Sequence, residues 1–341
     1  MGRPPAAPAG RGGAMRRAAL PLALLVGLVA AAPALVPEAG RRSLDSVALR
    51  LLPPLSRVPM LVARDGSLVP MAGDPAAAPA PGRPFVVEHG EVVWLRGHGV
   101  ARRPLGEFRL DEQGRPETTT RLFLAGTDSF GRDLAARLLA GLRLSVLIAL
   151  GAVAGAAVLA GLAGLAGGLA GRAVDGVLSL AGDGLLSIPR IVLVMALALA
   201  VEPGPAVLAL VLALTGWPAM ARLVRVEVRR MRDADVALAA RAAGASPLRV
   251  ALVHVLPEAA ATLAIAAGLR IAPTILLEAS LSFLGAGVSP PAASLGTILA
   301  EGRDVLLDAW WVLTLPGIAL VLFVLAVSRS VDRIQFASET R

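Results

Sequence analysis

The chain has 341 residues, of which 56% are hydrophobic and 17% charged, and its mean hydropathy of +0.71 argues against an ordinary soluble enzyme. It contains no cysteine, which excludes disulfides and thiolate metal sites, and all 33 basic residues are arginine, which excludes the lysine of an ATP-binding P-loop. The net charge of +8 does not indicate nucleic-acid binding, because the arginines gather at the ends of apolar runs, as they do in membrane proteins.

The chain opens with a Pro-, Gly- and Arg-rich stretch, residues 1–17, which we expect to be a cytoplasmic tail. Residues 18–36 form the first apolar run, long enough for a membrane span of about 20 residues. A cleaved signal peptide is the alternative, since a basic start before an apolar, Ala-rich stretch fits that pattern too. A retained span is favoured because further apolar runs follow and because a signal-peptide core has only about 7–15 residues.

Residues 37–123 are polar by comparison and predict an extracytoplasmic insertion after the first span. Alternating apolar and polar residues at 85–88 and 91–95 predict β-hairpin structure, and residues 76–84 have the composition of a Pro/Ala-rich linker. The insertion carries many arginines, but a loop longer than about 60 residues can cross a membrane regardless of its charge.

Five more apolar runs follow, at residues 144–169, 185–201, 206–223, 259–284 and 309–327. With the first run they predict an all-α membrane protein of six transmembrane helices, with a transmembrane domain at 124–330 and a C-terminal tail at 331–341. Seven arginines lie between position 222, at the end of the fourth span, and the start of the fifth span, and none lies between the third and fourth. Because cations resist translocation, this asymmetry predicts that the arginine-rich loop and both termini are cytoplasmic.

A polar motif precedes the second span, and it contains Gly126, Thr127, Asp128, Gly131, Arg132 and Asp133. Its two glycines suit the unusual backbone angles of a tight turn. Thr127 or Asp128 is placed to cap a short amphipathic helix. No catalytic arrangement is evident in it.

Residues 233–257, which lie within the connection between the fourth and fifth spans, are predicted to form two short helices that meet at a sharp turn. We call this segment the knob. An Ala-rich helix is expected to end at Gly244, and Ser246 is expected to cap a second helix that has Pro247 at its first position. Such a knob can dock in a groove of another protein; the alternative is an amphipathic surface loop. The candidate docking residues are Asp235, Leu238, Ala239, Ala240, Gly244, Ser246, Pro247, Leu256 and Pro257.

These motifs resemble those of the dipeptide/oligopeptide/nickel ABC importer permeases, specifically their C-type inner-membrane subunit, a binding-protein-dependent transport system inner-membrane component. The segment GTDSFGRD at 126–133 is followed by the family's spaced Arg137, Gly141, Arg143 and Ser145, and the knob is similar to the family's EAA motif. Further similar segments are Trp217-Pro218, 278–285, Pro290-Pro291, 299–303 and Pro316-Gly317. Leu238 stands where the family motif begins with glutamate, and Asp235, one turn earlier on the helix, is a candidate substitute.

The resemblance implies a type I ABC importer permease (MetI-like) core in the cell inner membrane. It implies a second homologous permease, two cytoplasmic ATP-binding subunits that use ATP and Mg, and an extracytoplasmic solute-binding protein as partners. The chain itself would bind no cofactor and would be no enzyme. Short peptides are the expected substrate, and nickel, glutathione or another small solute is the alternative substrate. A secondary transporter or a membrane scaffold is the alternative from a different class of protein.

Two charged residues lie within the fifth apolar run, Arg270 and Glu278. They share a helical face but stand about 12 Å apart along the axis, too far for a direct ion pair. Intramembrane charges indicate a polar pathway; for Arg270, snorkelling or pairing with the partner permease is an equal alternative. Arg190, after Pro189, is expected to be a helix-end anchor facing the cytoplasm. His89 and His98 form only a weak metal-binding pattern, so no metal site is predicted.

Overall fold

The computed structural model describes residues 45–73, 85–201, 204–289 and 292–339, together with Gly27. Described residues 45–143 and 297–319 form one compact unit, and described residues 144–296 and 320–339 form another. Apart from Gly27, the predicted first tail and first span lie outside the described residues, as does the whole of the predicted linker.

The first unit is built largely of β-strands. The strands are β1 (Ser56–Val62), β2 (Leu68–Pro70), β3 (Ala72–Gly73), β4 (Phe85–Glu88), β5 (Glu91–Gly97), β6 (Gly99–Pro104) and β7 (Thr118–Phe123). β1 pairs antiparallel with both β2 and β7. β5 pairs antiparallel with β4 and β6 and parallel with β3.

The predicted hairpin is confirmed. Phe85 pairs with Trp94 and Glu88 pairs with Glu91, which leaves His89 and Gly90 as a two-residue turn. Both turn residues have positive φ, +53° and +81°, as the tightest hairpin turns require.

Strand β1 contributes to two apolar clusters because alternate residues of a strand face opposite sides. Val58 and Met60 pack with Phe123, whereas Leu61 packs with Trp94 and Phe108. The rings of Trp94 and Phe108 meet edge to face with their centroids 5.8 Å apart.

Long helices dominate the rest of the described chain. They are α1 (Leu134–Leu169), α2 (Arg172–Ser187), α3 (Arg190–Ala200), α4 (Pro205–Arg232), α5 (Asp235–Ala242), α6 (Pro247–Val250), α7 (Leu256–Phe283), α8 (Leu295–Arg303) and α9 (Trp310–Glu339). A π-helical turn, Ala251–Val255, joins α6 to α7. In the described ranges α1, α4, the continuous segment Pro247–Phe283 and α9 as far as Arg333 are long and apolar enough to span a membrane.

The span predicted over residues 185–201 is bent rather than straight. Helices α2 and α3 meet at an angle of 89°, with Ile188 extended and Pro189 at the break. Ile188 is extended, as the residue before a proline tends to be, and Pro189 offers no backbone donor, so α2 ends at Ser187. α3 alone is about 16 Å long, about half of a membrane's apolar thickness.

The helical unit packs through small residues, as membrane helices do. A Cβ added at Gly164 of α1 would lie 2.5 Å from Val224 Cγ1 of α4, so only glycine permits this approach of the two helices. A larger apolar cluster includes Ile148, Val194 and Leu212.

Candidate functional site

The motif before α1 is organised around the buried carboxylate of Asp128, which has no exposed surface. Its Oδ2 accepts from Arg132 Nε at 2.7 Å and from Arg137 Nη1 at 2.6 Å. Its Oδ1 accepts the backbone N–H groups of Phe130, at 2.8 Å, and of Arg132, at 3.0 Å. Four donors therefore stabilise the ionised carboxylate.

Glu301 of α8 completes this network. Arg137 donates to both of its oxygens, at 2.5 Å from Nη1 and 2.9 Å from Nη2, and Arg132 Nη2 donates at 2.8 Å. Two arginines and two carboxylates thus form a charge-balanced cluster. The bidentate ion pair between Arg137 and Glu301 fixes the geometry of this cluster. Sequence reasoning placed Arg137 and Glu301 in family motifs without connecting them.

Thr127 connects the motif at residues 126–133 to the segment that precedes β1 through hydrogen bonds. Its buried hydroxyl donates to the Leu49 carbonyl and accepts the Leu52 N–H at 2.8 Å, and its backbone carbonyl accepts from Trp311 Nε1 at 3.2 Å. At Gly131, with φ of +68°, an added Cβ would collide with the Asp45 carbonyl. The motif therefore joins three parts of the chain through close contacts.

The expectation that Thr127 or Asp128 caps a helix is wrong. Asp133 is the cap, because its Oδ1 accepts the N–H groups of Ala135, at 3.0 Å, and Ala136, at 3.3 Å, in the first turn of α1. Thr127 and Asp128 have other partners. The turn between Asp128 and Asp133 is closed by the Asp128 side chain itself.

Asp45 lies beside this motif and is held ionised. Burial raises its pKa, but the N–H groups of Ala48 and Val47 and the guanidinium of Arg96, 2.7 Å from Oδ2, outweigh that effect and lower the pKa below its usual value. The carboxylate stabilises the turn at residues 45–50.

The knob at residues 233–257 folds locally as predicted. α5 ends at Ala242, Gly244 has φ of +88°, and the Ser246 hydroxyl accepts the Arg249 N–H at 3.3 Å with Pro247 in the first position of α6. The π-helical turn Ala251–Val255 carried no recognisable signal in the sequence. Leu256 and Pro257, expected at the end of the loop, are the first residues of α7.

The knob's surface carries exposed leucines as well as charged side chains, including those of Arg241 and Arg249. Ala237 and Val250 are buried beneath it, whereas Leu238 is 50% exposed and Leu248 68% exposed. Asp235, Ala239 and Gly244 are exposed as well. Leu238 therefore presents an isobutyl group where the resemblance implies a carboxylate, and Asp235 stands one turn earlier on the same helix.

Helix α7 carries a polar stripe, because Arg270, Thr274, Glu278 and Ser282 follow one another at four-residue intervals. Glu278 is fully buried; Ser282 donates to its Oε1 at 2.9 Å, and the hydroxyls of Ser145 and Ser294 face the same carboxyl group. Its Oε2 lacks a hydrogen-bond partner among the described residues. Arg270 and Glu278 form no ion pair, in agreement with their predicted separation.

Arg270 instead shares a small cavity with Arg190. Arg190 is the first residue of α3, as expected of a helix-end residue, but its guanidinium is directed inward, where Nη2 donates to the Leu212 carbonyl at 3.0 Å. The expectation of a side chain facing the cytoplasm is therefore wrong. Among the described residues, no cluster of three or more His, Asp or Glu side chains could hold a metal ion.

Glu278 provides a test of the polar stripe's structural role. We expect Glu278→Leu to lower the free energy of unfolding by about 1–3 kcal/mol, because three buried hydroxyls lose their acceptor. Glu278→Gln should lose less, since its carbonyl oxygen still accepts. Thermal unfolding in detergent measures both, with the exposed Ser280→Ala as a control of no effect. Equal losses for the Leu and Gln variants would contradict this account.

Comparison with known proteins identifies the family to which the chain belongs. Residues 156–341, more than half of the chain, match the family described as binding-protein-dependent transport system inner membrane component. The chain belongs to this family. It is an inner-membrane permease subunit of an ABC importer, and its family implies ATPase, binding-protein and second-permease partners.

Relatives of this permease include the di/tripeptide transport system permease protein of Pseudomonas aeruginosa, 38% identical over 64% of this chain and 72% of that protein. A permease from Brucella suis, whose name assigns it to a peptide transport system, is 41% identical over 60% of this chain and 69% of its own length. Among solved structures, a methionine ABC transporter in an inward-facing conformation is 19% identical, covering 59% of this chain and 96% of its own, with a TM-score of 0.48.

Proposed function

We propose that this permease subunit imports short peptides, forming a translocation pathway with a second permease. The observation that carries the substrate class is the 38–41% identity to permeases named for peptide transport, over 60–64% of this chain. ATP is hydrolysed by the partner subunits and not by this chain. A binding protein outside the membrane delivers the peptide.

The proposed topology has six spans, the first at residues 18–36, with both termini cytoplasmic. Residues 37–123 form the extracytoplasmic insertion, and the arginine-bearing end of α4 and the knob lie on the cytoplasmic side. The arginines near the end of α4 support this orientation, because Arg225, Arg229 and Arg232 gather where α4 ends, as cations do at cytoplasmic ends of spans.

The proposed coupling site is the knob at 233–257. Its exposed leucines, Leu238 and Leu248, suit a groove on an ATPase, and the turn between α5 and α6 has positive φ at Gly244, which glycine adopts without strain. Closure of the ATPase pair would move the knob, and α7, which continues from it without a break, would carry that motion to the membrane helices. Such rocking alternates access to one shared site.

Reconstituted transport tests the function. The four membrane and ATPase subunits are placed in liposomes with the binding protein on one side and ATP on the other, and uptake of radiolabelled di- and tripeptides is followed. We expect uptake that requires ATP, the binding protein and this subunit together. Uptake of nickel or glutathione in place of peptides would contradict the substrate class, and uptake without ATPase subunits would contradict the importer mechanism.

A further inference from the structure

Two arginines of the helical unit meet inside it. Arg190 is the first residue of α3, directly after the 89° bend, and Arg270 lies at the middle of α7. Both line one small cavity, together with Ala152, Gly216 and Thr274. Apart from Thr274, the residues that line the cavity around the two guanidinium groups are apolar or glycine.

The cavity holds positive charge that no described residue neutralises. The two guanidinium groups repel each other, and neither has a carboxylate within 4 Å among the described residues. The Nε of Arg190 is buried and makes no hydrogen bond there. By contrast, Arg137 contacts two carboxylates, and Arg225 contacts Asp175 at 2.8 Å.

We propose that Arg190 and Arg270 form a binding site for a carboxylate group. An unpaired charge inside a membrane protein is costly, so two like charges that line one cavity favour an anion between them. Carboxylates match the planar fork of donors on a guanidinium, and the unused Nε of Arg190 is one edge of that fork.

Two further features favour an anion at this position. The first N–H groups of α3 lie at Arg190 itself, since hydrogen bonding within the helix begins with the N–H of Val192, and a helix N-terminus is electropositive. Gly216 makes room for the guanidinium, because a Cβ there would lie 2.9 Å from Arg190 Nη2. The same positive field disfavours a bare metal cation as cargo.

The carboxylate has two sources. The first source is the C-terminal carboxylate of the transported peptide, and this source rests on the proposed function. Otherwise it is an Asp or Glu side chain of the second permease. Both sources use the same donors, and an experiment on the whole importer separates them.

The test compares wild type with Arg190→Gln and Arg270→Gln, using trialanine and its C-terminal amide as probes. With the peptide as source, we expect each substitution to reduce uptake of trialanine by about tenfold or more, as loss of a charged hydrogen bond predicts, and to leave uptake of the amide nearly unchanged. The binding protein is the same throughout, so its own preference cancels in the comparison. Arg329→Gln, which removes an exposed charge from α9, is the matched control.

Purification and thermal unfolding of the detergent-solubilised complex are read in parallel. If the carboxylate comes from the second permease, the Gln variants lose that subunit on purification, and Arg270→Lys restores part of it. If it comes from the peptide, trialanine raises the unfolding temperature of wild type but not of either variant. Variants that keep the second permease and respond to trialanine like wild type overturn the carboxylate site.

Failure of the proposed function gives a different result. A wild-type importer that takes up neither probe contradicts peptide import. The carboxylate site is then decided by subunit retention and by the thermal shift alone, neither of which depends on transport.

Discussion

Replacing Gly244 with valine is expected to reduce retention of the ATPase subunits to less than about a tenth of the wild-type level and to abolish transport with it. Gly244 has φ of +88°, which a β-branched residue adopts only with strain of about 1–3 kcal/mol. A Cβ at this position would meet no atom within 4 Å, so the substitution disturbs the α5–α6 turn without a steric clash. The knob would open, and its exposed leucines would no longer form one docking surface.

Co-purification of the ATPase subunits in detergent measures this effect. Gly90→Val is the matched control, because Gly90 also has positive φ, +81°, and also has open space around its Cβ, but lies in the hairpin between β4 and β5. Both variants carry the same kind of backbone strain. If Gly244→Val retains the ATPases as well as Gly90→Val does, the knob is not the coupling site.

Features with local sequence signals were predictable. The hairpin at His89-Gly90 and the knob at Gly244 and Ser246-Pro247 are specified by residues within one turn of the structure they form, because positive φ, side-chain capping and missing donors act on the nearest backbone. The knob's family resemblance and its local geometry therefore agree.

Features that depend on distant contacts were not predictable. Arg137 and Glu301 are 164 positions apart, and nothing in either neighbourhood specifies the other as its partner. The same holds for Arg190 and Arg270, each of which is an isolated charge in an apolar run. The bend at Pro189 was missed for a different reason, because the apolar character of residues 185–201 favours one span although the helix is interrupted at Ile188 and Pro189.

The wrong cap assignment has a related cause. Thr127, Asp128 and Asp133 are all suitable capping residues by type. Thr127 is instead held by the distant Leu49 and Leu52, and Asp128 closes its own turn and binds Arg132 and Arg137. Asp133 then remains as the cap, since its Oδ1 has only the first turn of α1 to bind.

Arg137→Leu is expected to lower the free energy of unfolding by about 3–5 kcal/mol, because it leaves Asp128 and Glu301 with only Arg132 to neutralise them. Asp128 has no exposed surface, so water cannot replace the lost donor. Denaturant unfolding of the detergent-solubilised complex measures the loss. The matched control is Arg103→Leu, which breaks an exposed pair with Glu107 at 3.8 Å and should change stability by less than about 1 kcal/mol.

The double variant Arg137→Met with Glu301→Met separates charge balance from contact. Replacing both members of a buried ion pair by apolar groups is often far less harmful than removing one, so we expect the double variant to be more stable than Arg137→Leu even though it lacks more hydrogen bonds. That order identifies an uncompensated buried charge as the main cause of the loss. The opposite order would show that the contacts themselves hold the motif to Glu301, and that the charge balance of the cluster has little influence on stability.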